Sequence, residues 1–192
     1  MHLTKDSAGR YGGVVVLWTG ERHSGKTTSA GDLVRAVQRE GFGVAGLLAP
    51  SLYRDGKLIG FDAVDLSSGA EALIARHGDG VGDIGRFTFL AEGLQLGRTA
   101  LSGPGAESAD LVVVDEFGPL ELDGKGWREN VDSLLAAGGG ILLLVVRREL
   151  VRRVRQLYGD FGAEVLDAGE PQSVDRVVRL LRDRRTVRGE VT

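Results

Sequence analysis

The sequence predicts an α/β fold in which helices cover both faces of a doubly wound, mostly parallel sheet. Four continuous apolar runs, rich in valine, leucine and isoleucine, occur along the 192-residue chain, at residues 14–18, 44–49, 111–114 and 141–146. Continuous apolar runs, unlike alternating ones, are typical of strands that are covered on both faces. Helical patterns lie between and after these runs, and strands alternating with helices are joined by right-handed crossovers in such a sheet.

Four segments carry apolar side chains at the spacing of an amphipathic helix. Their stripes are Ala30, Leu33, Val34 and Val37; Trp127, Val131, Leu134 and Leu135; Leu150, Val151, Val154 and Leu157; and Val174, Val177, Val178 and Leu181. Gly41 and the glycines at 138–140 follow the first two stripes as stop signals. Pro171 and Ser173 suit the start of the last helix, and a fifth core strand is predicted at residues 164–166.

The segment at about 51–110 interrupts this alternation. Asp55-Gly56 lies between SLYR and KLIGFDAVDL, which predicts a β-hairpin. RFTFL at residues 86–90 predicts a further strand beyond the glycine-rich stretch at 78–85, and a short helix follows near 92–101. We expect LSGPG, at 101–105, to end that helix and form a turn. The sequence therefore predicts one domain over residues 1–192, with a hairpin-containing insert.

Composition restricts the class of protein. Hydrophobic residues make up 42% and charged residues 27% of the chain, as in a globular protein. No cysteine is present, which excludes disulfides and thiolate metal sites. The 24 basic and 27 acidic residues nearly balance, which does not favour nucleic acid as a partner. The apolar runs are too short to cross a bilayer, and residues 1–12 lack the pattern of a signal peptide, so we expect a cytoplasmic protein without a membrane partner.

Residues 20–28, GERHSGKTT, match the phosphate-loop pattern G-x-x-x-x-G-K-[ST]. A glycine-rich chain can produce this pattern by chance, but here a predicted strand precedes it and an amphipathic helix follows it. In such a loop the backbone N–H groups cradle phosphate oxygens, Lys26 contacts the β- and γ-phosphates, and the Thr27 hydroxyl binds Mg²⁺. The residues predicted to bind the nucleotide are Gly20, Glu21, Arg22, His23, Ser24, Gly25, Lys26, Thr27 and Thr28.

His23 stands where tight versions of this loop often carry glycine. Two interpretations are open: an exposed side chain without a role, or a contact with the γ-phosphate or with a partner.

The apolar run at 111–114 ends in two carboxylates, Asp115 and Glu116. In a parallel sheet the carboxyl end of this strand lies beside the phosphate loop. Asp115 would hold Mg²⁺ through a water, and Glu116 would orient and deprotonate an attacking water. An acidic pair can also simply begin a surface loop, but its combination with the phosphate loop favours a catalytic role. A binding-only switch or a kinase has less need of a glutamate aimed at water, so the pair favours hydrolysis over both.

Arginines collect after the run at 141–146. Arg147 and Arg148 fall at the carboxyl end of that strand, where a guanidinium can reach a departing γ-phosphate. We take Arg147 as the candidate catalytic arginine. Arginines 152, 153 and 155 are interpreted as the solvated face of a helix, and the basic residues at 176–188 as a helix surface rather than an RNA-binding patch.

The loop GERHSGKTT, the hairpin segment GKLIGFDAVDL and the block ADLVVVDEFGPLEL together resemble the thermophile-type (cancer-related) nucleoside-triphosphatase family of small P-loop proteins. The resemblance covers roughly residues 13–168. The segments Gly60-Phe61-Asp62 and Asp115-Glu116-Phe117-Gly118-Pro119 are more specific than the loop. The chain departs from the family pattern at His23, where glycine is usual, and at Phe117, where a smaller aliphatic is common.

This resemblance implies a RecA-like P-loop fold and slow, Mg²⁺-dependent hydrolysis of several nucleoside triphosphates, including ATP and GTP, to the diphosphates. By matching motif positions, Lys26 and Thr27 would hold phosphate and metal, Asp115 would assist the metal, and Glu116 would be the catalytic carboxylate.

Two other functions stay open at this point. A nucleotide or small-molecule kinase could use the same loop, with the insert at 51–110 holding the acceptor. A nucleotide-gated adapter could hydrolyse slowly alone and faster when a partner supplies an arginine. The sequence carries no Asn-Lys-x-Asp motif that would select guanine, so the preferred base is not predicted. The protein partner and the oligomeric state are not predicted either.

Overall fold

The structure is a computed structural model that describes residues 13–78, 82 and 86–189. Residues 1–12, on which the prediction of no signal peptide rests, and most of the glycine-rich stretch at 78–85 lie outside the described residues. The strands are β1 (Val14–Gly20), β2 (Val44–Leu48), β3 (Ser51–Arg54), β4 (Lys57–Asp65), β5 (Glu71–His77), β6 (Phe87–Phe89), β7 (Leu111–Val114), β8 (Ile141–Arg147) and β9 (Glu164–Asp167). The helices are α1 (Lys26–Arg39), α2 (Ala91–Ala100), α3 (Gly103–Ser108), α4 (Pro119–Leu122), α5 (Arg128–Ala137), α6 (Val151–Tyr158) and α7 (Pro171–Gly189), with 3-10 turns at Arg148–Leu150 and Gly159–Phe161.

The strands of the described residues form a single sheet in the order β6-β5-β4-β2-β7-β8-β1-β9, and β3 pairs with β4. The five strands β2, β7, β8, β1 and β9 are parallel, and they are the five predicted core strands. Strand β8 lies between β1 and β7, so the carboxyl ends of these three strands meet at one edge of the sheet. The predicted doubly wound, mostly parallel sheet is confirmed.

Helices cover both faces of this sheet, as predicted. Along β1, Val14, Val16 and Trp18 pack on the side that carries α1 and α7. Val15 and Leu17 pack on the opposite side, with buried residues of α2, α3, α5 and α6. All five side chains are at most 4% exposed. Burial on both faces explains why these strands read as continuous apolar runs.

The helix stop and start signals also act where they were predicted. Gly41 follows α1 with φ +75°, and Gly138 ends α5 in the left-handed conformation that suits glycine. Pro171 is the first residue of α7, and the Ser173 hydroxyl donates to the Asp167 carbonyl at 2.7 Å. Among the described residues, none of the helices is long and apolar enough to cross a membrane.

The insert extends the core sheet with antiparallel strands, which form the antiparallel part of the sheet. The β3–β4 hairpin turns at Asp55 and Gly56, both with positive φ, and β4 pairs with β2. Strand β5 was not predicted, because its sequence EALIARH mixes charged residues with residues that favour helices; its pairing with β4 and β6 makes it a strand. Helix α2 covers the antiparallel part of the sheet. It contacts Trp127 at Gly97, where a Cβ would come within 2.4 Å of the indole ring.

The prediction for residues 101–105 is partly wrong. Leu101 and Ser102 do end α2 and form a turn, but Gly103 begins helix α3 instead of continuing the turn. Pro104 sits in the first turn of that helix, where its missing N–H leaves no hydrogen bond unmade. The short helix α4 also went unpredicted, since four residues are too few for a helical pattern.

Candidate active site

The candidate phosphate loop connects β1 to α1. Gly25, directly before α1, has φ +78°, a left-handed conformation in which glycine carries no Cβ penalty. The Ser24 N–H donates to the Glu21 carbonyl at 3.3 Å, and the Ser29 N–H donates to the Gly25 carbonyl at 2.9 Å. These bonds close a tight turn that leads into the N-terminus of a 14-residue helix. The positive end of this helix favours an anion at the loop.

Lys26 is the buried cation of the loop. Its side chain is 7% exposed, and its ammonium group donates to the Glu21 carbonyl at 2.7 Å. Of the other predicted nucleotide-binding residues, Gly20 is buried and Thr27 half-buried; the remaining ones, Glu21, Arg22, His23, Ser24, Gly25 and Thr28, are exposed. The ammonium group is therefore enclosed by the loop, whose other residues are mostly exposed and open to a ligand.

His23 adopts φ +57°, although it is not glycine. A left-handed conformation costs a residue with a Cβ about 1 kcal/mol or more. This conformation explains why glycine is favoured at this position, and it does not require a role for the imidazole.

Asp115 and Glu116 follow β7 at the same edge of the sheet as the loop. Asp115 is fully buried, and its carboxylate accepts from the Ala49 N–H at 3.0 Å and from the Glu116 N–H at 2.9 Å. Glu116 has φ +59°, which turns the chain sharply away from the strand direction. Its side chain is 41% exposed and lies beside Arg147, with 3.4 Å between Oε2 and Nη2. The Asp115 carboxylate is thus enclosed by the protein, and the Glu116 carboxylate lies exposed at the edge of the sheet.

Burial raises the pKa of Asp115 to about 6, although hydrogen bonds from the Ala49 N–H, the Thr27 side chain and the Glu116 N–H oppose the rise. The Thr27 contact links the phosphate loop directly to the acidic pair. A nearby cation would favour the ionised form of this buried carboxyl.

The two candidate arginines have different surroundings. Arg147 is the last residue of β8, opposite Gly20 of β1 in the strand register, and pairs with Glu116. Arg148 pairs with Glu21 at 2.9 Å and with Asp167 at 2.5 Å, so it joins the loop to the end of β9. Arginines 152, 153 and 155 lie exposed on α6, as predicted. Arg147 is the arginine beside the acidic pair.

The basic residues predicted to form a helix surface at 176–188 lie on α7, but Arg184 is buried there, at 7% exposed, and donates to the Gly139 carbonyl at 3.0 Å. Arg176 forms a two-bond pair with Glu164 at 2.6 and 2.9 Å, and Arg182 pairs with Glu40 at 2.6 Å. The Arg185 guanidinium stacks 4.0 Å from the centre of the Phe42 ring. These contacts give Arg176, Arg182 and Arg185 structural partners within the protein.

Glu121 is a site residue that sequence reasoning missed. It is 3% exposed, and its carboxylate accepts from the Gly118 N–H at 2.8 Å and from the Trp127 N–H at 3.2 Å. Burial raises the pKa of this carboxyl above its usual range. The carboxylate therefore holds the segment after Glu116 in a closed loop. Its position three residues after Gly118, at the start of a Pro-headed turn, is the sequence signal that could have indicated it.

We expect Glu121→Ala to lower the free energy of unfolding by about 2 kcal/mol, because two buried N–H groups lose their acceptor. Urea denaturation of the nucleotide-free protein measures this loss. Glu129→Ala, at an exposed position on α5, is the control, and we expect it to change stability by less than about 0.5 kcal/mol. Equal stability of the two variants would contradict the structural role of Glu121.

Known proteins resemble this chain over most of its length. A family model described as NTPase matches residues 15–167. A nucleoside-triphosphatase THEP1 from Archaeoglobus fulgidus is 31% identical over 168 residues, covering 85% of this chain and 96% of the relative. One from Methanothermobacter thermautotrophicus is 31% identical over 167 residues, covering 84% and 90%.

Two solved structures share the fold. The solution structure of a human cancer-related nucleoside triphosphatase matches with a TM-score of 0.62 at 25% identity, over 91% of this chain and 96% of that protein. The crystal structure of THEP1 from Aquifex aeolicus matches with a TM-score of 0.62 at 20% identity, over 86% and 95%.

Proposed function

This chain belongs to the THEP1 family of nucleoside-triphosphatases, and we propose that it slowly hydrolyses ATP, GTP and other nucleoside triphosphates to the diphosphate and phosphate in a Mg²⁺-dependent reaction. The observation that carries the proposal is the meeting of three strand ends at one edge. The loop after β1 brings Lys26 and Thr27, β7 brings Asp115 and Glu116, and β8 brings Arg147. Cation, hydroxyl, carboxylates and guanidinium are the groups that phosphoryl transfer to water needs.

The donor set suits Mg²⁺ held together with a nucleotide. Mg²⁺ prefers oxygen ligands and usually takes one or two carboxylates, with waters and substrate phosphates completing its shell. The Thr27 hydroxyl and the Asp115 carboxylate supply such oxygens in contact with each other. Among the described residues there is no cluster of three or more acidic, histidine or cysteine side chains that could hold a metal ion. When bound, the ion would neutralise charge on the β- and γ-phosphates.

Glu116 is the residue we assign to the water. Its carboxylate is exposed at the strand edge beside Arg147, while Asp115 is enclosed, so of the two we assign Glu116 to receive a proton from an attacking water. Lys26 would hold the β- and γ-phosphates, and Arg147 would contact the charge that develops on the γ-phosphate. The broad base specificity follows from this design, since the assigned groups all act on phosphate, metal or water.

Phosphate release from ATP, GTP, CTP and UTP, with and without Mg²⁺, tests the proposed function. We expect all four to yield one diphosphate per phosphate with Mg²⁺, and release near the background rate without it. Hydrolysis of one nucleotide alone would contradict the broad specificity. Tight binding of all four without release would contradict hydrolysis.

The pH dependence of phosphate release should report Asp115. Because the pKa of its carboxyl is about 6, the group is ionised above this pH and protonated below it. A proton on this carboxyl competes with Mg²⁺. We therefore expect release to fall as the pH drops through about 6, and the midpoint to move to lower pH when the Mg²⁺ concentration rises. Profiles at low and saturating Mg²⁺ measure this shift; a midpoint independent of Mg²⁺ would contradict the role of Asp115.

Arg147→Ala should reduce kcat about a hundredfold to a thousandfold with a smaller effect on KM, because the guanidinium acts on charge that develops during the reaction. Steady-state phosphate release measures both constants. Arg152→Ala removes an equivalent charge from an exposed position on α6, and we expect its kcat to match wild type. If the two variants behave alike, Arg147 is not a catalytic residue.

A further inference from the structure

An apolar cleft opens directly beside the acidic pair, on the side of the insert. Its volume is about 230 Å³. Its wall is built by Phe61, Phe87 and Phe89 of the insert, by Leu94 of α2 and by Trp127, and Glu116 lies at its edge. The cleft is thus a largely apolar chamber next to Glu116, the residue assigned to activate the attacking water.

The size of the cleft exceeds what hydrolysis requires. A cavity of about 10–15 Å³ already holds one water, so a hydrolase needs only a small polar space beside Glu116. A concave, mostly apolar chamber with a few polar groups at one end is instead typical of a small-molecule site. Leaving aromatic walls open to water also costs about 25 cal/mol for each Å² exposed, which a bound apolar ligand would recover.

The aromatic walls are fixed in place by their own packing. The Phe61 and Phe87 rings lie 5.1 Å apart in a tilted arrangement, and His77 meets the Phe87 ring edge-on at 5.3 Å. Both phenylalanines lie on strands in the antiparallel part of the sheet, not on the parallel strands that carry the phosphate loop. Aromatic rings in the wall of a cleft pair favourably with the ring of a planar ligand, either stacked or edge-on.

The polar end of the cleft defines the rest of the ligand. Asp115, Glu116 and Arg147 all contribute to its lining, and each belongs to the edge where the γ-phosphate is assigned. A ligand that fills the apolar chamber would place its outward substituent where the attacking water would otherwise lie. A hydroxyl group is the substituent that Glu116 can deprotonate as it would deprotonate water.

We propose that this cleft binds a planar aromatic or heteroaromatic compound that carries a hydroxyl group, and that the protein transfers the γ-phosphoryl group to that hydroxyl. The hydroxyl oxygen forms a bond to the γ-phosphorus while the bond from the γ-phosphorus to the β,γ-bridging oxygen breaks. The bonding electrons leave with the nucleoside diphosphate, and the hydroxyl proton passes to the Glu116 carboxylate. The transfer rests on the proposed function, because it uses the same nucleotide site with an alcohol in place of water.

The partition of γ-labelled phosphate from Mg·ATP tests this transfer. Wild-type protein is incubated with 2-naphthylmethanol, 3-indolylethanol or thymidine, and the label is separated into inorganic phosphate and phosphate ester. We expect a phosphate ester from at least one of these alcohols, with a yield that saturates as the alcohol concentration rises. Label in inorganic phosphate only, with all three alcohols, would overturn the acceptor assignment and leave hydrolysis standing. Absence of both products would overturn the proposed hydrolysis as well.

Filling the cleft distinguishes this site from attack by an alcohol free in solution. Leu94→Trp adds bulk inside the cleft, and we expect it to lower the ratio of ester to inorganic phosphate at least tenfold. Leu94→Phe makes a smaller change in the same direction and serves if the larger variant does not fold. Gln95→Trp places the same indole at an exposed position on α2 and should keep the wild-type ratio. An unchanged ratio in a folded Leu94 variant would overturn the proposal.

Discussion

Lys26→Met should weaken the binding of Mg·ATP about thirtyfold to several thousandfold. Lys26 is the cation of the candidate loop, and its side chain is 7% exposed, so methionine keeps most of the buried volume while removing the charge. Loss of a desolvated charge partner costs about 2–5 kcal/mol, and each 1.4 kcal/mol is tenfold in affinity. Titration with a fluorescent ATP analogue measures the dissociation constant, and phosphate release should fall in parallel.

The matched control is Lys57→Met, which removes an exposed lysine at the start of β4, away from the loop. We expect the affinity of this variant for nucleotide to equal that of wild type. Thermal unfolding of both variants shows whether the protein stays folded. If a folded Lys26→Met protein binds Mg·ATP like wild type, residues 20–28 are not the phosphate site.

Glu116→Gln should lower kcat for phosphate release about a hundredfold to a thousandfold while nucleotide affinity stays near that of wild type. Glutamine has almost the same shape as glutamate but cannot accept the proton of the attacking water, and a positioned base contributes about 10²–10⁴ to a rate. Affinity should persist because the carboxylate is assigned to water, not to phosphate. The result separates Glu116 from Lys26, whose loss acts on binding.

Glu149→Gln is the control for Glu116. It removes a negative charge from an exposed residue two positions after the end of β8, near the same edge of the sheet. Its kcat should equal that of wild type. A Glu116→Gln protein that turns over at the wild-type rate would show that Glu116 is not the catalytic carboxylate, although hydrolysis itself would stand.

The parallel core could be predicted from sequence because burial on both faces leaves a local signature. The apolar runs at 111–114 and 141–146 gave the strands β7 and β8 almost residue by residue, and Gly41 and Gly138 marked helix ends through their left-handed backbone. The phosphate loop is equally local, since a strand, a short glycine-containing turn and a helix follow one another in the chain.

Features that depend on distant parts of the chain escaped prediction. Strand β5 has a sequence that favours helix as much as strand, and its state is decided by pairing with β4 and β6. Glu121 reads as an ordinary surface acid, and only its two backbone partners reveal a buried carboxylate. The apolar cleft likewise has no signature in the sequence, because Phe61, Phe87 and Leu94 come from three separate elements. Arg147 and Arg148 are neighbours in sequence, and only the structure shows that Arg147 meets Glu116.

The most direct test of hydrolysis at this site is ATP turnover in water labelled with ¹⁸O, followed by mass spectrometry of both products. Attack of a Glu116-activated water on the γ-phosphorus predicts one ¹⁸O atom in the released phosphate and none in ADP from wild-type protein. Glu116→Gln should yield almost no labelled phosphate in the same time although it binds ATP. Label in ADP, or equal amounts of labelled phosphate from the two proteins, would contradict the account.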